Sequence, residues 1–99
     1  MKQPTKEQIA AWKEKHGDIF QLTSEDGLAS CIMRKPTRHE LSYATKMSKI
    51  NPMAFNDCIV KSCWLDGDDV MRTDDGYYLG ICAKLETIIQ IKEVEIKNL

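Results

Sequence analysis

Two cysteines, Cys58 and Cys63, have four residues between them, a spacing that occurs in structural zinc sites. Such sites normally add a second ligand pair downstream, but Cys82 stands alone and both histidines, His16 and His39, lie far upstream. On a helix, five positions turn the chain by about 500°, which leaves the two thiols about 140° apart. We therefore expect no metal and no cofactor, and cysteines that pack as small apolar side chains without forming disulfides.

Carboxylates cluster in the sequence DGDDVMRTDD, which begins at Asp66 and raises the question of a calcium site. An EF-hand loop needs oxygen ligands at its first, third and fifth positions and glycine at its sixth. The frame that begins at Asp66 has Val70 at the fifth position, and the frame that begins at Asp69 has Met71 at the third. We therefore expect Asp66, Asp68 and Asp69 in a solvated turn, followed by aspartates that favour the start of the next helix.

The residue types that support catalysis are present but are not arranged for it. A cysteine nucleophile needs a base that favours the thiolate, and no spacing in the sequence pairs a histidine with a cysteine. The acidic pairs in EDG and DDG each precede a glycine, as is common in turns. The stretch DGYYLG lacks the spacing and the lysine of a phosphate-binding loop. We therefore predict a protein that is not an enzyme and has no catalytic residues.

The formal net charge of −1 over 99 residues gives no overall attraction to nucleic acid or to an anionic membrane. A local basic patch would have to come from Arg34, Lys35, Arg38, Lys46 and Lys49, which also suit a solvated helix face. The N-terminus lacks the apolar segment of a signal peptide, and no run approaches the ~20 apolar residues of a membrane span. We therefore expect a cytoplasmic protein with no membrane partner, and nucleic-acid binding ranks last.

Side chains that can cap a first turn mark the starts of several helices. Thr5 with Gln8 and Thr37 with Glu40 have the capping-box spacing, and Asn51 followed by proline supplies another start. Apolar residues recur at helical spacing after each of these positions. The predicted helices cover about residues 5–16, 38–49, 52–65 and 74–97.

Between the first two helices, two apolar-rich runs flank the sequence TSEDG. Ser-Glu-Asp-Gly suits a type I turn with its glycine in a left-handed conformation, which predicts a β-hairpin over about residues 18–34. One face of this hairpin would carry Phe20, Leu22, Ala29, Cys31 and Met33.

Together these elements predict an α+β fold, in which an N-terminal helix and a β-hairpin are followed by a three-helix, mainly α-helical part. The composition, 42% apolar and 29% charged, is typical of a folded globular protein. A chain of this length can bury one modest core, so we predict a single domain over residues 1–99.

Some apolar side chains have no obvious place in such a core. Trp64 falls at the end of its predicted helix, and Tyr77 and the tyrosine after it cannot both face inward. Ile91, Val94 and Ile96 form a loose stripe among charged residues, and burying them would call for a second copy of the chain. We predict that Trp64, Tyr77 and these three C-terminal residues bind a protein partner.

Four stretches follow one another in the chain: AWKEKHGDIFQL, IMRKPTRHELSYA, NPMAFNDCIVKSCWLDGDD and DDGYYLGICAKLETIIQIKEVEIKNL. They cover about residues 9–99, with an RKP step after the second strand and an acidic glycine turn before the last helix. In this order they resemble the small tail assembly chaperones of long-tailed bacteriophages and prophages.

The resemblance implies a non-enzymatic protein that binds the tape-measure protein or the tail-tube protein during tail assembly in the bacterial cytoplasm. It also implies self-association into a homo-oligomer, and it assigns a role to no individual residue. Two other interpretations stay open. One is a generic protein-interaction or regulatory module of a mobile element, and the other, ranked third, is a nucleic-acid binder.

Overall fold

The computed structural model describes residues 3–89, 92 and 94–99. These residues form α1 (Lys6–His16), β1 (Ile19–Thr23), β2 (Ser30–Arg34), α2 (Arg38–Ser48), α3 (Pro52–Cys63), β3 (Trp64–Gly67), α4 (Val70–Thr73) and α5 (Asp75–Ile89). The strands form one antiparallel sheet in the order β1-β2-β3. The predicted α+β class is confirmed, with a helix first and the hairpin second.

Side-chain caps begin α1, α2 and α3 at the positions that the sequence predicts. The Thr5 hydroxyl accepts the Gln8 N–H at 3.1 Å, and the Gln8 side chain accepts the Thr5 N–H at 2.9 Å. Thr37 and Glu40 make the same pair of bonds at the start of α2. The Asn51 side chain accepts a backbone N–H at 3.0 Å at the start of α3. Because each cap satisfies amides that the first turn leaves unpaired, these helices begin at defined residues.

The predicted β-hairpin is present, and its turn spans Ser24 to Gly27. The Gly27 N–H donates to the Ser24 carbonyl at 2.9 Å, and the Ser24 N–H donates to the Ala29 carbonyl at 2.9 Å. Gly27 has a φ of 73°, a left-handed value that glycine adopts without steric strain. The predicted left-handed glycine is therefore confirmed, and β2 begins directly after Ala29.

The register of the hairpin turns the predicted apolar face toward the helices. Phe20 lies opposite Met33, and Leu22 lies opposite Cys31. Cys31 and Met33 are fully buried, while the two β1 side chains are half-buried against the same core cluster. Ala29 is buried in that cluster as well. All five residues of the predicted face therefore contact one core.

The predicted helix over residues 52–65 is wrong at its C-terminal end. α3 ends at Cys63, and the next four residues form β3, which pairs with β2. Trp64 already has an extended backbone, with a ψ of 123°. A strand this short carries no alternating pattern of its own, and its stabilising partner lies far upstream in the chain. For that reason the sequence did not indicate it.

The acidic stretch around β3 is only in part the solvated turn that the sequence indicates. Asp66 belongs to β3 and lies opposite Ile32. The Asp68 N–H donates to the Ser30 carbonyl at 2.9 Å, and the Ser30 N–H donates to the Asp68 carboxylate at 3.0 Å. Asp68 is half-buried and extends the pairing of β2 and β3 beyond the last residue of β3, whereas Asp66 and Asp69 are exposed, as expected.

The predicted helix over residues 74–97 is too long. α5 spans Asp75–Ile89, and the Asp74 side chain caps it by accepting the Tyr77 N–H at 3.1 Å. Residues 94–99 are exposed and have no helical structure. A helix end that packs against nothing gains no tertiary stabilisation, so the helix does not continue through this segment.

The core lies between one face of the sheet and helices α2, α3 and α5. Its buried residues are Ala29, Cys31, Met33, Ala44, Ile59, Val60, Cys63, Met71, Ile81, Leu85 and Ile88. Ile32 points to the opposite face of β2 and is only 2% exposed. The central strand is therefore covered on both faces.

An ion pair joins the end of β2 to the start of α2. The Arg34 guanidinium donates to both Glu40 carboxylate oxygens, at 2.8 and 2.7 Å, and to the Ser62 carbonyl at 2.6 Å. The two side chains are only 15% and 22% exposed. The hydrogen bonds from Arg34 lower the pKa of Glu40 to about 2. This one pair therefore links β2, α2 and α3.

We predict that Glu40→Gln lowers the free energy of unfolding by about 1–2 kcal/mol at pH 7, because Arg34 loses a charged partner. Glu40 has a lower pKa in the folded protein than its ordinary value of 4.5. The pair therefore stabilises fully above pH 4.5 and loses its effect as the pH falls to about 2. Urea denaturation at several pH values measures this. The two proteins should converge in stability near pH 2, and a difference that stays constant with pH would contradict the prediction.

Gly67 allows β3 to lie close against β2. A Cβ at this position would lie 2.5 Å from the Cys31 Cβ, and the φ of Gly67 is +156°. We predict that Gly67→Ala lowers the free energy of unfolding by about 2–3 kcal/mol, because the two strands must separate. Gly80→Ala is the control, since a Cβ there meets no described atom within 4 Å and should stabilise α5 by about 0.5–1 kcal/mol. Urea denaturation measures both variants, and an unchanged Gly67→Ala protein would contradict the prediction.

A candidate protein-binding groove

The cysteines and the acidic stretch do not form a metal site among the described residues. Among residues 3–89, 92 and 94–99, no three His, Cys, Asp or Glu side chains are placed to hold a metal ion. The four cysteines are free thiols, and Cys31 and Cys63 are fully buried. Burial raises the pKa of both thiols to about 11, so they stay protonated near neutral pH. These two cysteines pack as small apolar side chains, as the sequence predicts.

A groove of about 830 Å³ runs between β1 and α5. This volume falls within the range of sites that bind ligands or peptide segments. Its apolar lining comes from both walls and from α4: Phe20, Leu22, Met71, Tyr77, Ile81 and Ile88. On the α5 side the groove extends from Gly76 to Ile88, which corresponds to about 18 Å of helix.

One wall of the groove is β1, and the outer edge of this strand is open. In the part of the chain that the structure describes, β1 pairs with β2 alone. The Ser24 N–H donates to the Ala29 carbonyl, and hydrogen-bonded pairs alternate along an antiparallel ladder. The backbone N–H and C=O groups of the even-numbered residues of β1 therefore bond to β2. The backbone groups of Ile19, Gln21 and Thr23 therefore point toward the open edge. Edge strands usually carry lysine or proline, which discourage pairing, but β1 has no proline and no charged side chain.

The other wall is α5, and part of its groove-facing side is built from small residues. Gly76, Gly80 and Ala83 recur at helical spacing along this wall. A Cβ added at Gly80 would meet no described atom within 4 Å, so the space beside this turn is open. A glycine inside a helix is less stable than alanine by about 0.5–1 kcal/mol. The small residues therefore keep the groove wide at some expense of helix stability.

The hairpin turn is tied to the start of α5, which closes one end of the groove. The Tyr77 hydroxyl donates to the Asp26 carboxylate at 2.5 Å, and the Ser24 hydroxyl donates to the same group at 2.5 Å. The hydrogen bonds from Ser24 and Tyr77 lower the pKa of Asp26, so this carboxylate is charged at neutral pH. Glu25 and Asp74 line the same end, which is therefore acidic.

The residues predicted to bind a partner lie in three different places. Tyr77 lies in the groove, where its ring is half-buried. Trp64 lies in β3, on the other side of β2 from the groove. Val94 and Ile96 are 85% and 96% exposed in the C-terminal segment, and Ile91 lies outside the described residues. The structure therefore does not combine them into one surface.

Trp64 is held by contacts within the protein. Its side chain is half-buried against the core cluster, and the Arg72 guanidinium lies 4.1 Å from the centre of its ring. A cation in this position is attracted by the negative face of the indole. These contacts give Trp64 a structural role that joins β3 to α4, and its predicted role in partner binding stays a prediction.

The candidate basic patch is weakened by the contacts of Arg34. This guanidinium is engaged by the Glu40 carboxylate and the Ser62 carbonyl, so its charge is largely compensated within the fold. A nucleic-acid site on this surface would depend on the remaining lysines and on Arg38.

Sequence reasoning missed the groove because its walls meet only in the folded protein. Two local features contribute to it: a strand without charge, Ile19–Thr23, and the two glycines Gly76 and Gly80 at helical spacing in α5. Each has an ordinary local interpretation, as a core strand or as a weak helix. In the folded protein they lie on opposite sides of one open space, and together they form the walls of the groove.

In the described part of the chain, no helix has the length and apolar character to cross a membrane. The comparisons with known proteins find no match, whether among family models, curated proteins or solved structures. The groove is therefore the structural basis for a functional proposal.

We predict that Trp64→Ala lowers the free energy of unfolding by about 2–3 kcal/mol, because the ring loses its contacts with the core. Arg72→Gln removes the cation above the ring and the exposed Arg72–Asp69 ion pair, and should lower the same free energy by about 0.5–1 kcal/mol. Urea denaturation followed by circular dichroism measures both variants. Unchanged stability in Trp64→Ala would contradict the structural role and would make partner binding the better explanation of this residue.

Proposed function

We propose that the protein is a non-enzymatic assembly chaperone or adaptor that holds a segment of a phage tail protein in the groove between β1 and α5. The observation that carries this proposal is an apolar groove bordered by an unpaired strand edge that has no charged side chain. The resemblance of the sequence supplies the client, which is the tape-measure protein or the tail-tube protein. The protein would act in the cytoplasm of the bacterial host.

The groove suits an extended segment of the client. Its length along α5 is about 18 Å, and an extended segment of five or six residues spans about 17–20 Å. Such a segment would bond through its backbone to the open edge of β1, at Ile19, Gln21 and Thr23. Every second side chain would then pack between Leu22 and Ile81. Adding a strand to a sheet edge in this way is a common mode of peptide recognition.

This mode of binding matches what an assembly chaperone requires. Backbone pairing is nearly independent of sequence, so one groove can accept several segments of a long client. Selectivity would come from apolar side chains that fit beside Gly80 and from a basic residue at the acidic end. Covering an apolar segment before it reaches its final position needs no catalytic group and no metal.

The test fills the groove without disturbing the core. Gly80→Met places a side chain in the open space, and Gly80→Ala is the matched control that changes helix propensity alone. Both variants should unfold at or above the temperature of the unaltered protein, because α5 loses a glycine. Each is co-expressed with the tape-measure protein and, separately, with the tail-tube protein of the same phage. With the client that the unaltered protein captures, Gly80→Met should hold at least about tenfold less soluble client, a loss of about 1.4 kcal/mol of binding. Gly80→Ala should retain most of it.

Each outcome of this experiment is informative. Equal capture by Gly80→Met and Gly80→Ala would exclude the groove as the client site. Failure of the unaltered protein to capture either tail protein would overturn the tail-assembly proposal and favour an interaction module of a mobile element. A gene position between the major tail protein and the tape-measure protein would support the proposal, whereas a lone gene beside a repressor would oppose it.

A further inference from the structure

The C-terminal segment has the pattern of a strand but lies exposed. Val94, Ile96 and Leu99 are 85%, 96% and 108% exposed. In an extended chain, Lys92, Val94 and Ile96 share one side, while residues at odd positions, including Leu99, lie on the other. Valine and isoleucine favour extended structure because they are β-branched. The segment therefore presents two adjacent apolar side chains, preceded by a lysine, on one side.

We infer that this C-terminal segment of one copy of the protein docks in the groove between β1 and α5 of a second copy, where it adds a fourth strand to the sheet. The inference uses the groove of the proposed function but does not depend on the identity of the client. The partner is a second copy of this chain, and the contact consists of residues 92–97 against β1 and α5.

The charge of the groove favours one direction for the added strand, because Lys92 lies on the same side as Val94 and Ile96, whereas Lys97 lies on the other side. Its acidic end, with Glu25 and Asp26, lies at the C-terminal end of β1. A segment that runs antiparallel to β1 enters at this end, with Lys92 near the carboxylates. Val94 then lies beside Leu22, and Ile96 lies beside Phe20. The two apolar residues meet apolar partners while the lysine meets the acidic end.

The same direction excludes docking within one chain. Tyr77, near the start of α5, marks the acidic end of the groove, whereas Ile89, the last residue of α5, is about 18 Å away along the helix. Lys92 is only three residues beyond Ile89, and three extended residues reach about 10 Å. In its own groove, Lys92 therefore cannot reach the carboxylates. In the single chain, Val94 and Ile96 are in fact exposed.

The protein is more elongated than a compact domain of its length. The radius of gyration is 15.0 Å, and the principal extents are 53 × 31 × 23 Å. A compact domain of this length has a radius of gyration of about 13 Å. The shape is therefore elongated, and Val94 and Ile96 are exposed.

Sedimentation over a range of micromolar concentrations tests the donor segment. Ile96→Asp places a charge on the docking side and should weaken self-association by at least about tenfold, equivalent to about 1.4 kcal/mol. Leu99→Asp is the matched control, because it introduces the same charge on the other side of the segment. It should leave self-association within about twofold of the unaltered protein. Equal effects of the two substitutions, or an unaltered protein that stays monomeric at high micromolar concentration, would overturn the inference.

Mixing two defective variants tests the groove as the acceptor. Gly80→Met has a filled groove but an intact C-terminal segment, and Ile96→Asp has the reverse. Each alone should sediment as a monomer, and an equimolar mixture should associate, because one donor and one acceptor remain. A mixture that stays monomeric would overturn the inference.

Client capture separates this inference from the proposed function. Ile96→Asp has an intact groove and should still hold the tape-measure protein. If it does so while the unaltered protein is monomeric, the inference fails and the proposed function stands. If Ile96→Asp and Gly80→Met each lose self-association and their mixture regains it, but no tail protein is captured, the proposed function fails and the inference stands.

Discussion

The central strand β2 is buried on both faces and paired at both edges. The other elements depend on this constraint. Residues 30–33 are all buried, and a buried backbone must have its N–H and C=O groups paired. β1 and β3 meet this requirement, and the Asp68 carboxylate satisfies the amide of Ser30. Gly67 permits β3 to approach closely enough to do so, and the Arg34–Glu40 pair connects the end of β2 to α2.

The groove is a consequence of this arrangement. A sheet of three strands ends at β1 before it covers the full width of α5, so Phe20 and Leu22 stay half-buried and the strand edge stays open. Gly80 keeps α5 from filling the gap. Both proposals place a fourth strand on this surface, from a client in one and from a second copy of the chain in the other. Both proposals therefore describe one physical property, an incomplete sheet beside an apolar helix.

Much of the architecture could be predicted because it depends on interactions between residues close in the sequence. Thr5, Thr37 and Asn51 cap helices by bonding to amides two or three residues away, and Gly27 meets the backbone requirement of its own turn. The end of α3 and the extent of α5 could not be predicted in this way. Helical periodicity records which side chains would share a face, but not whether a surface exists for that face to pack against.

The amino-acid sequence alone establishes an α+β chain with capped helices, one hairpin with a defined apolar face, and a cysteine pair without a second ligand pair downstream. These features follow from short-range spacing and backbone preference. Folding adds β3, the contact of Arg72 with Trp64, and the groove between β1 and α5. Each of these joins segments whose separation in the sequence leaves no local signature. The groove proposed as the binding site therefore exists only when β1 and α5 are packed side by side.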